Sequence, residues 1–177
     1  MSYTPPPPPP DPSAYGVPKA GARPGELLDR FVARLIDGVV VGVVYVIVAI
    51  VLIAGVVLSS GSSYLVNFVT AVVLAALQLG YFVFMETTRG QTIGKMVMKL
   101  RVVGPHGGNP TVEESVRRNI WLAAGLASIV PIVGGLVGGV ASLVAIIMIA
   151  VGINSDTVNR QAWHDKFAGG TRVIKEG

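Results

Sequence analysis

Apolar and polar positions divide this chain into three long apolar blocks separated by charged stretches. The first block runs from Leu35 to Leu58, "LIDGVVVGVVYVIVAIVLIAGVVL", with Asp37 as its only charge. The second, Leu65 to Met85, reads "LVNFVTAVVLAALQLGYFVFM" and has no charge. Each is long enough to cross a hydrocarbon layer about 30 Å thick as a helix. Valine and isoleucine abound, which in water favours strands. In lipid a lone strand leaves its backbone unpaired, so helix prevails. Only "SSGSSY" joins the two blocks, which predicts a helical hairpin with helices at about 31–58 and 65–86.

The third block, Ile120 to Ile153, has no charge. As one helix it would be about 50 Å long, too much for an ordinary span. Its middle reads "VPIVGGLVGG", and Pro131 and the glycines weaken a continuous helix. Gly134/Gly138 and Gly135/Gly139 have the four-residue spacing that lets helices approach closely. The favoured reading is two apposed segments, about 120–133 and 136–153. The alternative is one long, kinked and tilted helix.

Composition agrees with a membrane protein. Of 177 residues, 51% are hydrophobic and 14% are charged, whereas soluble domains carry roughly 25% charge. There is no cysteine, hence no disulfide framework and no thiolate metal site. The expected fold is an all-α membrane protein with three to four transmembrane helices in two hairpins. Basic residues set its orientation, because cytoplasmic loops retain Lys and Arg. They cluster before the first block, between the second and third, and after the third, and the Ser59–Tyr64 connector has none. All three clusters face the cytoplasm only if the third block crosses twice or re-enters. Both termini are therefore expected inside a plasma or inner membrane.

Residues 1–26 form a separate region, and 27–177 the membrane domain. "YTPPPPPPDPSAYGVP" cannot bury a core and favours an extended polyproline conformation. It reads either as a plain flexible cytoplasmic tail or as a ligand for an aromatic-lined proline-recognition groove. It is not a secretory signal, since proline stands where a basic segment belongs.

Polar residues at the membrane boundary carry the candidate chemistry. Arg34 and Asp37 are three apart and so neighbours on one helical face, whereas Arg30 and Asp37 lie roughly 10 Å apart along the axis. The bland reading is an interfacial ion pair with snorkelling arginines; the sharper one is a functional ionisable group. Glu86 ends the second block, either as a solvated helix terminus or as part of a site. Gln78 and Asn67 are amides suited to hydrogen bonding between helices. "GQTIGK", Gly90 to Lys95, fails as a phosphate loop: only three residues separate Gly90 from Gly94, and Met96 follows Lys95. "KLRVV" and "GTRVI" alternate basic and apolar residues. They predict that Leu100–Val103 and Thr171–Ile174 pair as a small cytoplasmic two-stranded element. A short helix, Ile93–Met98, would precede it, with Lys95 and Lys99 towards lipid headgroups. Two histidines are too few for a metal site or triad, so neither enzyme, metal nor cofactor is expected. The basic loops meet anionic lipid more simply than nucleic acid.

"RFVARLIDG", "YFVFMETTRGQTIGKMVMKLRVV" and "RQAWHDKFAGGTRVI" resemble the RDD family of membrane proteins, named for an arginine and two aspartates. The resemblance covers about Leu27 to Ile174. It implies that the arginine is Arg30, and that the aspartates are Asp37 and Asp165. It also implies a family-motif turn at Gly90, Gln91, Thr92, Gly94 and Lys95. The proline-rich leader resembles that of the family's proline-rich antigen proteins. In many relatives a second arginine adjoins the one matching Arg30; here Asp29 stands there, and Arg34 lies a turn later. The function implied is transport, with sodium/proton exchange suggested for some members. One reading is thus a transporter with Asp37, Glu86 and Asp165 as cation ligands and Arg30 tuning them, oligomerised to enclose a path. The other is a non-transporting scaffold or assembly factor. If Asp165 returns beneath the first helix, Arg30, Asp37, Glu86 and Asp165 form one polar cluster, with Arg34 or Gln91 as further candidates.

Overall fold

The computed structural model describes residues 21–59, 63–130 and 133–176. The proline run of the leader, the middle of the "SSGSSY" connector and Pro131 lie outside the described residues, as does the side chain of Asn67. Two long helices take up the first two apolar blocks, α1 at Leu27–Ser59 and α2 at Ser63–Arg89. Both extend past their blocks at the polar end, so Arg30, Arg34 and Glu86 sit on helices and not in loops.

The third block divides, but unequally. Ile120–Ile129 is a 3₁₀ helix, and α5 occupies Val133–Ser155. (The short helices α3, Ile93–Val97, and α4, Val112–Asn119, precede them.) Ten residues of 3₁₀ helix cover only about 20 Å, less than an ordinary span. The segment expected at about 120–133 is therefore shorter, and it reaches only partway through a bilayer. Gly134 and Gly138 explain the tight turn back. A Cβ on Gly134 would collide with the Ala127 carbonyl, and one on Gly138 would lie 2.7 Å from the Ala124 oxygen. The other expected packing pair does not act this way: Gly135 and Gly139 face open space. Among the described residues, α1, α2 and α5 are long and apolar enough to cross a membrane. On α1, Val39, Val43, Val46 and Ile50 are each more than half exposed, as an apolar face turned to lipid would be.

A three-stranded antiparallel sheet lies at one end of these helices, in the order β1 (Arg23–Pro24), β3 (Arg172–Lys175), β2 (Leu100–Val103). Leu100 pairs with Lys175 and Val103 with Arg172, one residue beyond the expected Thr171–Ile174. The element has a third strand, because Arg23 and Pro24 of the expected tail pair with Lys175 and Ile174. Val102 and Val173 turn inward onto Leu100 and Ala33, forming a small core against α1. The sheet joins chain from before α1, after α2 and after α5. Those three junctions therefore share one end of the molecule. The short α6, Trp163–Phe167, leads from α5 into β3.

Candidate functional site

Asp37 faces the start of α3. Its carboxylate accepts from the Thr92 hydroxyl at 2.6 Å, the Gly94 N–H at 2.8 Å and the Tyr81 hydroxyl at 2.8 Å. The expected contact with Arg34 does not form. The motif turn explains why. Gly90, at φ +68°, ends α2 in the left-handed region that suits glycine. Its carbonyl accepts from Val102 N at 2.7 Å, and Gln91 donates to the Leu100 carbonyl at 2.9 Å. Thr92 caps α3. A Cβ on Gly94 would collide with the Ala33 carbonyl of α1, so only glycine brings α3 close enough for Asp37 to reach its N–H groups. "GQTIGK" is a fastening between α1, α2 and β2, with the Gly90 carbonyl, the Gln91 amide, the Thr92 hydroxyl and the Gly94 N–H each answered from within the chain.

Lys95 completes the turn, and its direction corrects the expectation that it meets headgroups. Its ammonium lies 2.6 Å from Glu86 and is largely buried. A buried carboxylate one helical turn before the motif offers more than a headgroup can. Burial pushes the Lys95 pKa down, opposed by Glu86. Glu86 is itself 1% exposed. It also accepts from Ser115 at 2.9 Å and Asn119 at 3.0 Å, and lies 3.6 Å from Arg118. It is thus not a solvated helix terminus.

Asp165, fully buried, gathers the other end of the layer. Arg118 Nε lies 3.1 Å from it and Arg30 Nη1 3.3 Å, while Ala162 N donates at 3.2 Å. Arg30 also donates to the Gly25 and Val173 carbonyls, tying α1 to the chain just before it and to β3. Burial alone would raise the Asp165 pKa, but Arg118, His164 and Arg30 outweigh it and hold the carboxyl below its usual range. His164 goes down to about 4, chiefly through burial against the opposing pull of Asp165, with Arg118 adding repulsion.

Lys95, Glu86, Arg118, Asp165 and Arg30 therefore form one ionic chain across α3, α2, α4, α6 and α1. Of the predicted cluster, Arg30, Glu86 and Asp165 meet in it. Asp37 sits beside it on neutral donors, and Gln91 serves the strand. The bridge, Arg118, was hidden among the loop basics. One signal could have revealed it: "TVEE" is a capping box at Thr111–Glu114. That fixes the phase of α4 and puts Ser115, Arg118 and Asn119 on one face.

Arg34 is different. Its guanidinium lies 3.9 Å from the Phe82 ring centroid and 4.9 Å from that of Trp121. Among the described residues no carboxylate is within ion-pair distance of it. It lines a cavity of about 160 Å³ between α1 and α5, with Arg30, Arg118 and His164. Arg118 Nη1 and His164 Nδ1 are buried without a hydrogen-bond partner among the described residues. The three carboxylates have their oxygens occupied by protein donors, and no group of three side chains suited to a metal ion gathers among the described residues. Lys95, Arg30, Arg34 and Arg118 against Asp37, Glu86 and Asp165 are four cations to three anions. Of the two unpartnered atoms, Arg118 Nη1 is a donor, whereas neutral His164, with Nε2 towards Asp165, presents Nδ1 as an acceptor.

The sequence profile of the RDD family matches residues 24–169. No curated protein and no solved structure matches the chain.

Proposed function

The chain belongs to the RDD family and is a multi-pass membrane protein, and from this we propose that it is a non-transporting, non-catalytic membrane scaffold. In this reading the sheet and the ionic layer face the cytoplasm, as the placement of basic residues favours. They hold the loops and the proline-rich leader, similar to that of the proline-rich antigen proteins, for partner proteins with an aromatic-lined proline-binding groove. One observation carries the reading: Asp37, Glu86 and Asp165 are each saturated by donors of their own chain. A carboxylate that binds and releases a cation needs free lone pairs at some point in its cycle. These three instead fasten α2, α3, α4 and α6 to α1 and to each other. Proton-linked uptake should be no greater in proteoliposomes holding the protein than in empty ones. Asp37→Asn should lower thermal stability and leave that baseline unmoved. Uptake by the wild type that a folded Asp37→Asn protein loses would overturn the proposal.

A second reading, transport of a small solute or ion by a homo-oligomer, draws on a different feature. A cavity of about 140 Å³ between α1 and α2 shares Arg34 and Asp37 with the first and extends to Tyr45 and Gln78. The Tyr45 hydroxyl lies 3.0 Å from Gln78 Oε1, so polar groups continue from the ionic layer into the apolar span. The same uptake experiment decides between the readings.

A further inference from the structure

The cavity between α1 and α5 has two unlike walls. Its inner wall carries Arg30, Arg34, Lys95 and Arg118 against the carboxylates Asp37 and Glu86; its outer wall is apolar, with Phe31 on α1 and Ile146 on α5. Phe31 is 60% exposed and Ile146 49%, so they flank a mouth that opens sideways, onto the face that meets lipid. Three observations at the inner wall agree on what it lacks. Arg34 has no carboxylate within ion-pair distance among the described residues; its guanidinium rests on the Phe82 and Trp121 rings beside the cavity, with Glu86 and Asp37 attracting it from farther off. Arg118 Nη1, on a side chain more than nine-tenths buried, makes no hydrogen bond among the described residues and has Glu86, at 3.6 Å, only as an ionic partner. The surrounding charges leave one cation in excess.

We propose that this groove is a binding site for one phospholipid with an anionic headgroup. Its phosphodiester sits against Arg34, with Arg118 as a further donor, and one acyl chain lies along Phe31 and Ile146. A guanidinium matches two phosphate oxygens with two parallel N–H groups, and basic pockets between helices near a membrane surface suit such headgroups. The cavity holds a phosphate and part of its glycerol, not a whole lipid. That size and the lateral mouth favour a ligand entering from the bilayer. The bound anion would offset the excess charge of a layer that is otherwise internally paired. This goes beyond the scaffold reading and does not depend on it.

The full-length protein, purified in mild detergent, is titrated with phosphatidylglycerol, with phosphatidylcholine of the same acyl chains, and with inorganic phosphate. Bound species are followed by native mass spectrometry and binding by thermal shift. Phosphatidylglycerol should bind one per chain and more tightly than phosphatidylcholine, and phosphate alone should produce no shift. Arg34→Gln should weaken phosphatidylglycerol binding roughly tenfold or more. Because Arg34 also packs on Phe82 and Trp121, a second variant is needed that leaves the charges alone. Ile146→Trp, which narrows the mouth, should weaken binding with stability unchanged. Three outcomes each overturn the proposal: phosphate alone shifting stability, equal binding of the two lipids, or undiminished phosphatidylglycerol binding in folded Arg34→Gln and Ile146→Trp.

Discussion

Asp165 shows how a buried charge is judged by its partners. Removing one member of a buried pair leaves an uncompensated ion and costs about 3–5 kcal/mol, more than removing both opposed members. Asp165→Asn should thus destabilise the protein by that order in denaturant titration. Arg118 and Arg30 are not equivalent as second changes. Arg30 keeps two backbone acceptors, at Gly25 and Val173, when Asp165 is gone. Arg118 keeps only Glu86 at 3.6 Å. A double-mutant cycle should therefore give a larger coupling for Arg118–Asp165 than for Arg30–Asp165, and additive losses in both cycles would contradict the ionic chain. His164 adds a pH dependence of known sign. Its pKa is held down to about 4 by burial, so between the usual 6.5 and about 4 the unfolded chain takes a proton that the folded one refuses. Stability is fully present above that window and falls as pH drops through it, by about 3 kcal/mol in all. The Asp165 carboxyl, shifted below its usual range, adds its loss only at still lower pH. Melting curves from pH 7.5 to 4.5 should show a slope that His164→Asn makes shallower; an unchanged slope would place the loss elsewhere.

At the level of elements, legibility followed the physics of each segment. The spans of α1 and α2 were plain because long charge-free runs have one stable form in lipid. β2 and α3 were readable from alternation and from the turn glycines. β1 was not, since two residues including a proline resemble the tail they end, and only the edge of a sheet formed elsewhere makes them a strand. Lys95 was misread for a related reason. A lysine beside a membrane ordinarily reaches for headgroups, and nothing local says that Glu86 has been carried underneath it. The glycines of α5 were half legible: spacing identifies pairs, but the choice of face depends on where the 3₁₀ segment lies. That choice is testable. Gly134→Ala forces the Ala127 backbone away and should cost about 1–3 kcal/mol or more. Gly135→Ala meets nothing within 4 Å and should leave unfolding unchanged within about 0.5 kcal/mol. Equal losses at the two positions would mean that the segments pack by another face.

Across the whole molecule, the sheet makes a statement about sidedness. Strands from before α1, after α2 and after α5 cannot pair unless those junctions lie on one side of the bilayer, opposite the connector between α1 and α2. With no native cysteine, Ser62→Cys and Lys175→Cys can be labelled singly with a membrane-impermeant reagent. They are expected to react from opposite faces, and reaction from the same face would break the four-segment arrangement. The order of the strands has a consequence in time. β3 lies between β1 and β2, yet it is translated after both and after every apolar segment. While the nascent chain is being threaded into the bilayer, the two outer strands wait without a neighbour, and Arg30 and Arg118 wait for Asp165. Asp37 and the "GQTIGK" turn can fasten α1 to α2 before that point. The tie that brings the far end of α5 to them closes only when the middle strand arrives, so the first hairpin is set first and the last helix is locked to it afterwards.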